Sequence, residues 1–360
     1  MSTLLRSPAP VVRQSARPGG LRETAARLLV RAGAPGWLAR LPQRDSVLAL
    51  CYHRIAAPGA LGKTTLDNPC DPGLFSAGVN QFEEQIRCLK RHAEIVDLAE
   101  AIELASSRRP RRACRVLITF DDGYRDNYDL AFPVLRAHGV PAVFFLTTAM
   151  VGSSHTPWWD QLAHLLATAQ RRRFTLPGAG AVDLEREGLA VVRRRLLNLV
   201  KHGPAQVDVP ALLAHLAEAA EASAPLSAHR RFIDWNEARE MQRHGMAIGS
   251  HTHTHPVLSR LTVLQQREEL ATSRHLIATE LGAPPLAIAY PTGASDSYTP
   301  ATRRLAAEVG YRAVFSFHGG INRAGRADAL GLCRVGVGPQ SADRFALRLA
   351  TAGAIGYCWP

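Results

Sequence analysis

Two adjacent carboxylates, Asp121 and Asp122, close a run that is otherwise apolar. The run, RVLITFDDGY over residues 115–124, sets Val116, Leu117, Ile118 and Phe120 ahead of the pair and Gly123 behind it. A near-continuous apolar run reads as a strand buried on both faces. Neighbouring carboxylates at its mouth repel each other and are costly to desolvate, and a bound cation is the simplest compensation. An Asp-Asp-Gly turn would use the same residue types. A second stretch, IGSHTHTHP at 248–256, favours the cation, because it sets three histidines within five residues.

His251 and His255 are four apart, so one helical turn or a tight loop aims both at one point. Asp122 completes a set of two histidines and one carboxylate, which leaves a coordination position open for water or substrate, as hydrolytic zinc needs. The expected cofactor is therefore a divalent metal, Zn2+ first. His253 is expected to point away from it. A bound metal would lower the pKa of its water and polarise a carbonyl oxygen. Asp121 is then free to act as general base, and His53, from another strand end, to protonate a leaving nitrogen. The backbone N–H of Thr292 is placed to help hold an oxyanion. Tyr290 is assigned with it to the oxyanion and substrate side.

These residues need a scaffold that brings distant segments together. The run at 46–52, SVLALCY, reads as a first buried strand ending at His53. Further strands are expected at 94–97, 142–146, 246–250, 286–290, 313–317 and 332–337. Helices are expected at 99–105, 127–138, 235–244, 263–281, 299–309 and 342–351. Another begins at Asn80, where Glu83 suggests a capping box. Residues 155–230 break the rhythm and read as a helical insertion that shapes one wall of a cleft. Seven or eight strand–helix alternations argue for parallel strands with crossover helices. At this length a closed or nearly closed α/β barrel is expected, with an open doubly wound sheet as the alternative. A barrel also explains why His53, Asp121, Asp122, His251, His255 and Thr292 all fall at the C-terminal ends of strands.

The chain of 360 residues has an ordinary apolar fraction of 46%, enough for a real core. None of the six cysteines forms a C-x-x-C pair, so free thiols in a reducing compartment are expected rather than a disulfide framework. No apolar run reaches membrane-span length, and no secretory signal is read at the N-terminus. A cytoplasmic location follows as an expectation. The net charge of +12 is concentrated at the ends. Residues 1–45, a basic tail and a helix at 21–41, carry eight arginines against Glu23 and Asp45. Aromatic residues do not interleave with these arginines, so no nucleic-acid partner is expected. A weak peripheral contact with anionic lipid is compatible with the pattern. The expected organisation is 1–45 as tail and helix, 46–345 as the catalytic domain, and 346–360 as a C-terminal tail. Oligomeric state is not readable.

These motifs resemble those of the polysaccharide deacetylase family, also called the NodB-homology family or carbohydrate esterase family four. The resemblance covers about 46–340, apart from 155–230. The family's T-F-D-D-G motif corresponds to residues 119–123, which implies Asp121 as base and Asp122 as metal ligand. Its H-[S/T]-x-x-H motif corresponds to residues 251–255, with the outer histidines as ligands. The third motif departs: where many members have R-x-P-Y-G, this chain has Ala289-Tyr290-Pro291-Thr292-Gly293. Ala289 stands in place of the arginine that orients the catalytic aspartate, and Arg334 is a candidate substitute. The family's late catalytic histidine is also missing, since His318 sits in SFHGG. Tyr52-His53-Arg54-Ile55 looks like the Y-H-x-[I/V] motif of a branch that draws its acid from there. The resemblance implies a distorted (β/α) barrel of about seven parallel strands. It also implies a metal-dependent deacetylase acting on an N-acetylglucosamine-type sugar in a polysaccharide or lipid-linked precursor. Removal of a formyl or O-acetyl group, or sugar binding without turnover, stays open.

Overall fold

The structure is a computed structural model describing residues 28–29, 33, 46–61, 70–106, 114–203, 207–223, 229–325 and 327–355. The basic tail and the helix expected over 21–41 lie outside these, apart from Leu28, Leu29 and Gly33.

The chain enters on β1 (Ser46–Tyr52), β2 (Arg54–Ala56) and β3 (Phe75–Gly78), followed by α1 (Val79–His92), β4 (Glu94–Ile95), α2 (Leu98–Ser106) and β5 (Cys114–Phe120). A π-turn at Asn127–Ala131 leads into α3 (Phe132–His138) and then β6 (Val143–Leu146). After α4 (Trp158–Thr168) come β7 (Arg173–Leu176), β8 (Gly180–Asp183), α5 (Leu189–His202) and α6 (Val209–Ala219). The alternation resumes with α7 (Trp235–Arg243), β9 (Ala247–Ser250), α8 (Val263–Leu281), β10 (Ala287–Ala289), α9 (Pro300–Val309) and β11 (Ala313–Phe315). It ends on β12 (Asn322–Arg323), β13 (Arg334–Gly336) and α10 (Ala342–Ile355).

Seven parallel strands form a nearly closed barrel, in the order β11-β10-β9-β6-β5-β1-β13. A parallel bridge from Phe315 to Leu332 brings the chain beside β11 just ahead of β13 and closes the ring. β5 is the hub. Its lower half pairs with β4 and its upper half with β6, while β1 runs beside its whole length. The barrel expectation is met, and the open sheet is not.

Alternation along the strands sorts the side chains. Leu48, Leu50 and Tyr52 of β1 and Val116, Ile118 and Phe120 of β5 face outward, where Phe82 and Ile86 of α1, Phe132 of α3 and Phe345 of α10 cover them. Val47, Ala49 and Leu117 face a second core that also holds Ala287, Ala289, Ala313 and Phe315. Its small side chains suit a tight interior, and Leu98, Ala101 and Ile102 of α2 pack into it. Thr119 and Asp121 continue the inward row of β5 to the rim, where both are buried.

Three details differ from the sequence reading. Asn80 does not cap α1: the helix starts at Val79 straight from β3, Gly78 occupies the N-cap without a side-chain bond, and Glu83 instead faces Arg87 and His138. The insertion is not wholly helical, because β7 and β8 form an antiparallel hairpin. Phe174, Leu176 and Val182 alternate into its core, and Gly178 and Gly180 turn it with positive φ. Finally, residues 346–355 of the expected C-terminal tail belong to α10, the helix expected over 342–351, and Ala346 and Leu349 are buried in the main core. No described helix is long and apolar enough to cross a membrane.

Candidate metal centre and active site

The strand ends deliver the chemistry. Asp122 and Asp121 follow β5, His251 to His255 follow β9, Thr292 follows β10, His53 follows β1, and Arg334 opens β13. The backbone at the rim is strained. Of the five non-glycine residues with positive φ among the described residues, four are here: Asp122 (71°), Thr252 (67°), His255 (66°) and Thr292 (58°). For β-branched threonines this is a costly conformation, and it persists only where the surroundings over-determine it. Asp121 N–H donates to Tyr52 C=O at 3.0 Å and Gly123 N–H to Asp121 C=O at 2.9 Å. Gly123 has φ 80°, and a Cβ there would also press on Leu146 Cδ2 at 2.8 Å, so the turn favours glycine. His251 N–H donates to Leu146 C=O at 2.8 Å, and Glu269 Oε2 accepts from the N–H groups of His253 and Thr254 at 2.8 Å each.

Asp122, His251 and His255 converge. Asp122 Oδ1 is 3.5 Å from His251 Nε2 and 3.3 Å from His255 Nε2, and the donor atoms all lie within 4.8 Å of one another. His251 Nδ1 is 2.8 Å from Ala289 C=O, which can only accept, so the proton of a neutral ring sits on Nδ1. The lone pair of Nε2 then faces a carboxylate oxygen. Two acceptors in a buried site need a cation between them or a proton on the ring, and this donor set fits a divalent metal. Burial raises the Asp122 carboxyl, but the two imidazoles outweigh it and hold it well below the usual range. Burial likewise lowers His255, whereas Asp121 and Asp122 overcome burial at His251 and raise it. Trp159 of α4 packs on the His255 ring with centroids 4.6 Å apart. His253 turns away as expected, its Nδ1 2.9 Å from Thr148 Oγ1.

Asp121 does not share this cluster. Arg334 clamps it with Nη1 at 2.6 Å and Nη2 at 2.7 Å, one on each oxygen. The guanidinium is buried and also reaches Thr119 Oγ1 and Ser316 C=O, each at 3.3 Å. Arg334 thus stands where Ala289 leaves a gap. Burial would raise the Asp121 carboxyl, yet Arg334 and then His251 bring it down to about 2. Cys51 Sγ donates to Asp121 Oδ2 at 3.4 Å.

The imidazole of His53 belongs to the same side of the site, with a ring nitrogen within 4.8 Å of Cys51 Sγ and an Asp121 oxygen. Its backbone is fixed by Ser76 Oγ at 3.0 Å and Asn127 Nδ2 at 2.7 Å. Burial lowers its pKa against the pull of Asp122 and Asp121. Thr292 is at the rim with its Oγ1 buried and without a partner. Tyr290 corrects an expectation. Alternation on β10 turns Ala289 inward and Tyr290 outward, so its ring joins Leu258, Leu270, Leu305 and Tyr311 behind the strand. Its N–H is used by Phe315 C=O at 3.0 Å, and its unpartnered Oη is carried on the ring behind the strand. His318 is 2.5 Å from Tyr298 Oη and takes no part.

Sequence reasoning had passed over Cys51, Trp159 and Asp160. Cys51 was findable, since it follows Val47 and Ala49 in the inward row of β1. No local signal marks Asp160, which is fully buried and accepts from Tyr124 Oη at 2.8 Å, Asp71 N–H at 2.5 Å and Arg231 Nη2 at 3.2 Å. These bonds tie the insertion to the residue that follows Gly123.

A parallel barrel with its polar residues gathered on the C-terminal rim is the frame of many hydrolases. Here the frame is specific: residues 108–174 and 197–314 match the profile of the polysaccharide deacetylases, and the chain belongs to that family. The match includes most of 155–230, which the resemblance had set aside. The chain is 26% identical over 212 residues to YxkH of Bacillus subtilis (strain 168), covering 59% of this chain and 47% of YxkH. It is 35% identical over 117 residues to a poly-beta-1,6-N-acetyl-D-glucosamine N-deacetylase of Staphylococcus epidermidis (strain ATCC 35984), covering 31% of this chain and 40% of that protein. The chain thus spans under half the length of these curated relatives. The solved structure of IcaB from Ammonifex degensii has the same fold, with a TM-score of 0.54 at 20% identity over 86% of this chain and 98% of that one.

Proposed function

We propose that this protein is a metal-dependent deacetylase that hydrolyses the N-acetyl group of an N-acetylglucosamine-type sugar within a glycan. One observation carries the chemistry: a carboxylate and two imidazole nitrogens converge at 3.3 and 3.5 Å beside a second carboxylate that an arginine holds ionised. The names of the Staphylococcus relative and of the family support the sugar and the acyl group.

Asp122, His251 and His255 would hold the metal, which supplies a Lewis acid for the acetyl carbonyl and a water of lowered pKa. Asp121 accepts the proton of the attacking water. Its ionised state is assured by Arg334, which also fixes the carboxylate plane. The C–O bond forms, the C–N bond breaks, and the leaving nitrogen takes a proton from His53. Thr292, just past the end of β10 and with an unpartnered Oγ1, would help hold the acetyl oxygen. Trp159 and the insertion exclude water from the His255 side.

The test is metal analysis of the purified protein together with acetate and formate release from N-acetylglucosamine oligomers. Roughly one divalent ion per chain and stoichiometric acetate are expected. Acetate release that survives complete removal of metal would overturn the reading, as would formate as the sole acid.

A further inference from the structure

Helix α5 of the insertion crosses the barrel rim. Near its start Arg193 Nε is 3.1 Å from Asp71 Oδ1. One turn on, Leu197 packs on the cluster of Tyr124, Met150, Trp159 and Phe232. Its end is pinned to two rim loops: Arg260 Nη2 donates to Gly203 C=O at 2.7 Å, and His202 Nδ1 is 2.7 Å from Asp296 Oδ2. Residues 193, 197 and 201 share one helix face. The first two touch the rim, so Lys201 is directed at it too, beyond the tyrosine and tryptophan that flank Asp122 and His255.

The Lys201 ammonium feels Asp122 and Asp71, and His255 feels it in turn. Burial nonetheless outweighs both carboxylates and draws its pKa below the ordinary lysine range. No carboxylate among the described residues is within ion-pairing distance of it. Asp71 is engaged by Arg193 and Gly73 N–H, and Asp122 by the two histidines. A half-buried ammonium with no carboxylate in ion-pairing range is complementary to an incoming anion. Neutral sugar hydroxyls would accept its hydrogen bonds but leave the charge uncompensated.

We infer that Lys201 is a substrate-binding residue that receives an anionic group, carboxylate or phosphate, carried by the glycan next to the sugar being deacetylated. This rests on the deacetylase reading. The same charge disfavours a neighbouring sugar that has already lost its acetyl group and carries an ammonium.

The experiment compares kcat/KM for acetate release from three N-acetylglucosamine oligosaccharides of equal length: one neutral, one bearing a uronic acid, one bearing a phosphate. The wild type is expected to favour at least one anionic substrate by about tenfold at low salt, the preferred one identifying the group, with the preference shrinking at high salt. Lys201→Met should bring the anionic-to-neutral ratio to about one, and Lys201→Arg should keep it. Equal ratios in wild type and Lys201→Met, or no preference in the wild type, overturn the inference. Absence of acetate from every substrate counts against the deacetylase reading instead. Calorimetric binding of the two anionic oligosaccharides then decides for Lys201: tighter binding to wild type than to Lys201→Met sustains it, and equal binding overturns it.

Discussion

Arg334 grips both oxygens of Asp121 across a separation of 213 residues, and both side chains are buried. The pairing makes Asp121 a carboxylate of about 2 in place of the ordinary 3.8. A depressed folded-state pKa stabilises the protein above the ordinary carboxylate range, and that contribution fades as pH falls from about 4 toward 2. Arg334→Met removes the largest charge that opposes burial and leaves Asp121 only Cys51 and the nearby histidines, so its pKa rises and the stabilisation shrinks or changes sign. From about pH 2 to about pH 4.5 the Asp121 contribution should make metal-free wild type more stable, and metal-free Arg334→Met should gain less or lose over the same range. At pH 7 the variant should be about 3–5 kcal/mol less stable. Denaturant midpoints across that range and at pH 7 measure this, and parallel pH profiles would refute the account.

Asp122→Asn and His251→Ala each remove a donor from a set of three. Bound metal should fall at least tenfold in both, with turnover falling alongside. The far-ultraviolet spectrum should hardly change, because the barrel strands do not depend on these side chains. Metal content by elemental analysis after dialysis is the readout, and wild-type content in both variants rejects the ligand assignment.

Asp121→Asn and His53→Ala should behave differently from those two. Each keeps Asp122, His251 and His255, so bound metal should stay near wild type while kcat drops about 10²–10⁴-fold. The two then separate by leaving group. An activated aryl ester needs no proton on departure, so His53→Ala should recover most of its rate on such a substrate while Asp121→Asn should not. Full amide activity in His53→Ala would remove the acid from that position.

The strand ends were legible because apolar runs that stop at Asp, His or Thr are a local signal. Inward and outward facing was legible too, since Leu117, Thr119 and Asp121 obey a period of two. The same rule, applied to β10, would have turned Tyr290 outward; it was placed at the site because of its neighbours in the motif. The hairpin at Arg173–Leu176 and Gly180–Asp183 hid among helix formers, because four residues of alternation are a weaker signal than the long helical runs on either side. Arg334 could be flagged only as a substitute for the residue missing at Ala289. Its hold on Asp121 depends on β13 closing the barrel beside β1, a relationship between strands far apart in sequence. The burial of Asp160 and the stacking of Trp159 on His255 come from how the insertion docks, and no periodicity carries that.

Thr292 offers a test of why the rim is strained. A β-branched residue at φ 58° costs about 1–3 kcal/mol relative to glycine there, and its buried Oγ1 has no partner. Thr292→Gly removes both penalties, at a cost of about 0.5–1 kcal/mol for the freer unfolded chain. Deleting a partly buried side chain usually destabilises, but here the midpoint of thermal unfolding should hold or rise. If the hydroxyl meets substrate, kcat/KM should fall about tenfold or more in the same variant, and Thr292→Ser should restore most of it. A variant that is both less stable and fully active would show the strain at Thr292 to be structural, and the acetyl oxygen would have to be held elsewhere on the rim.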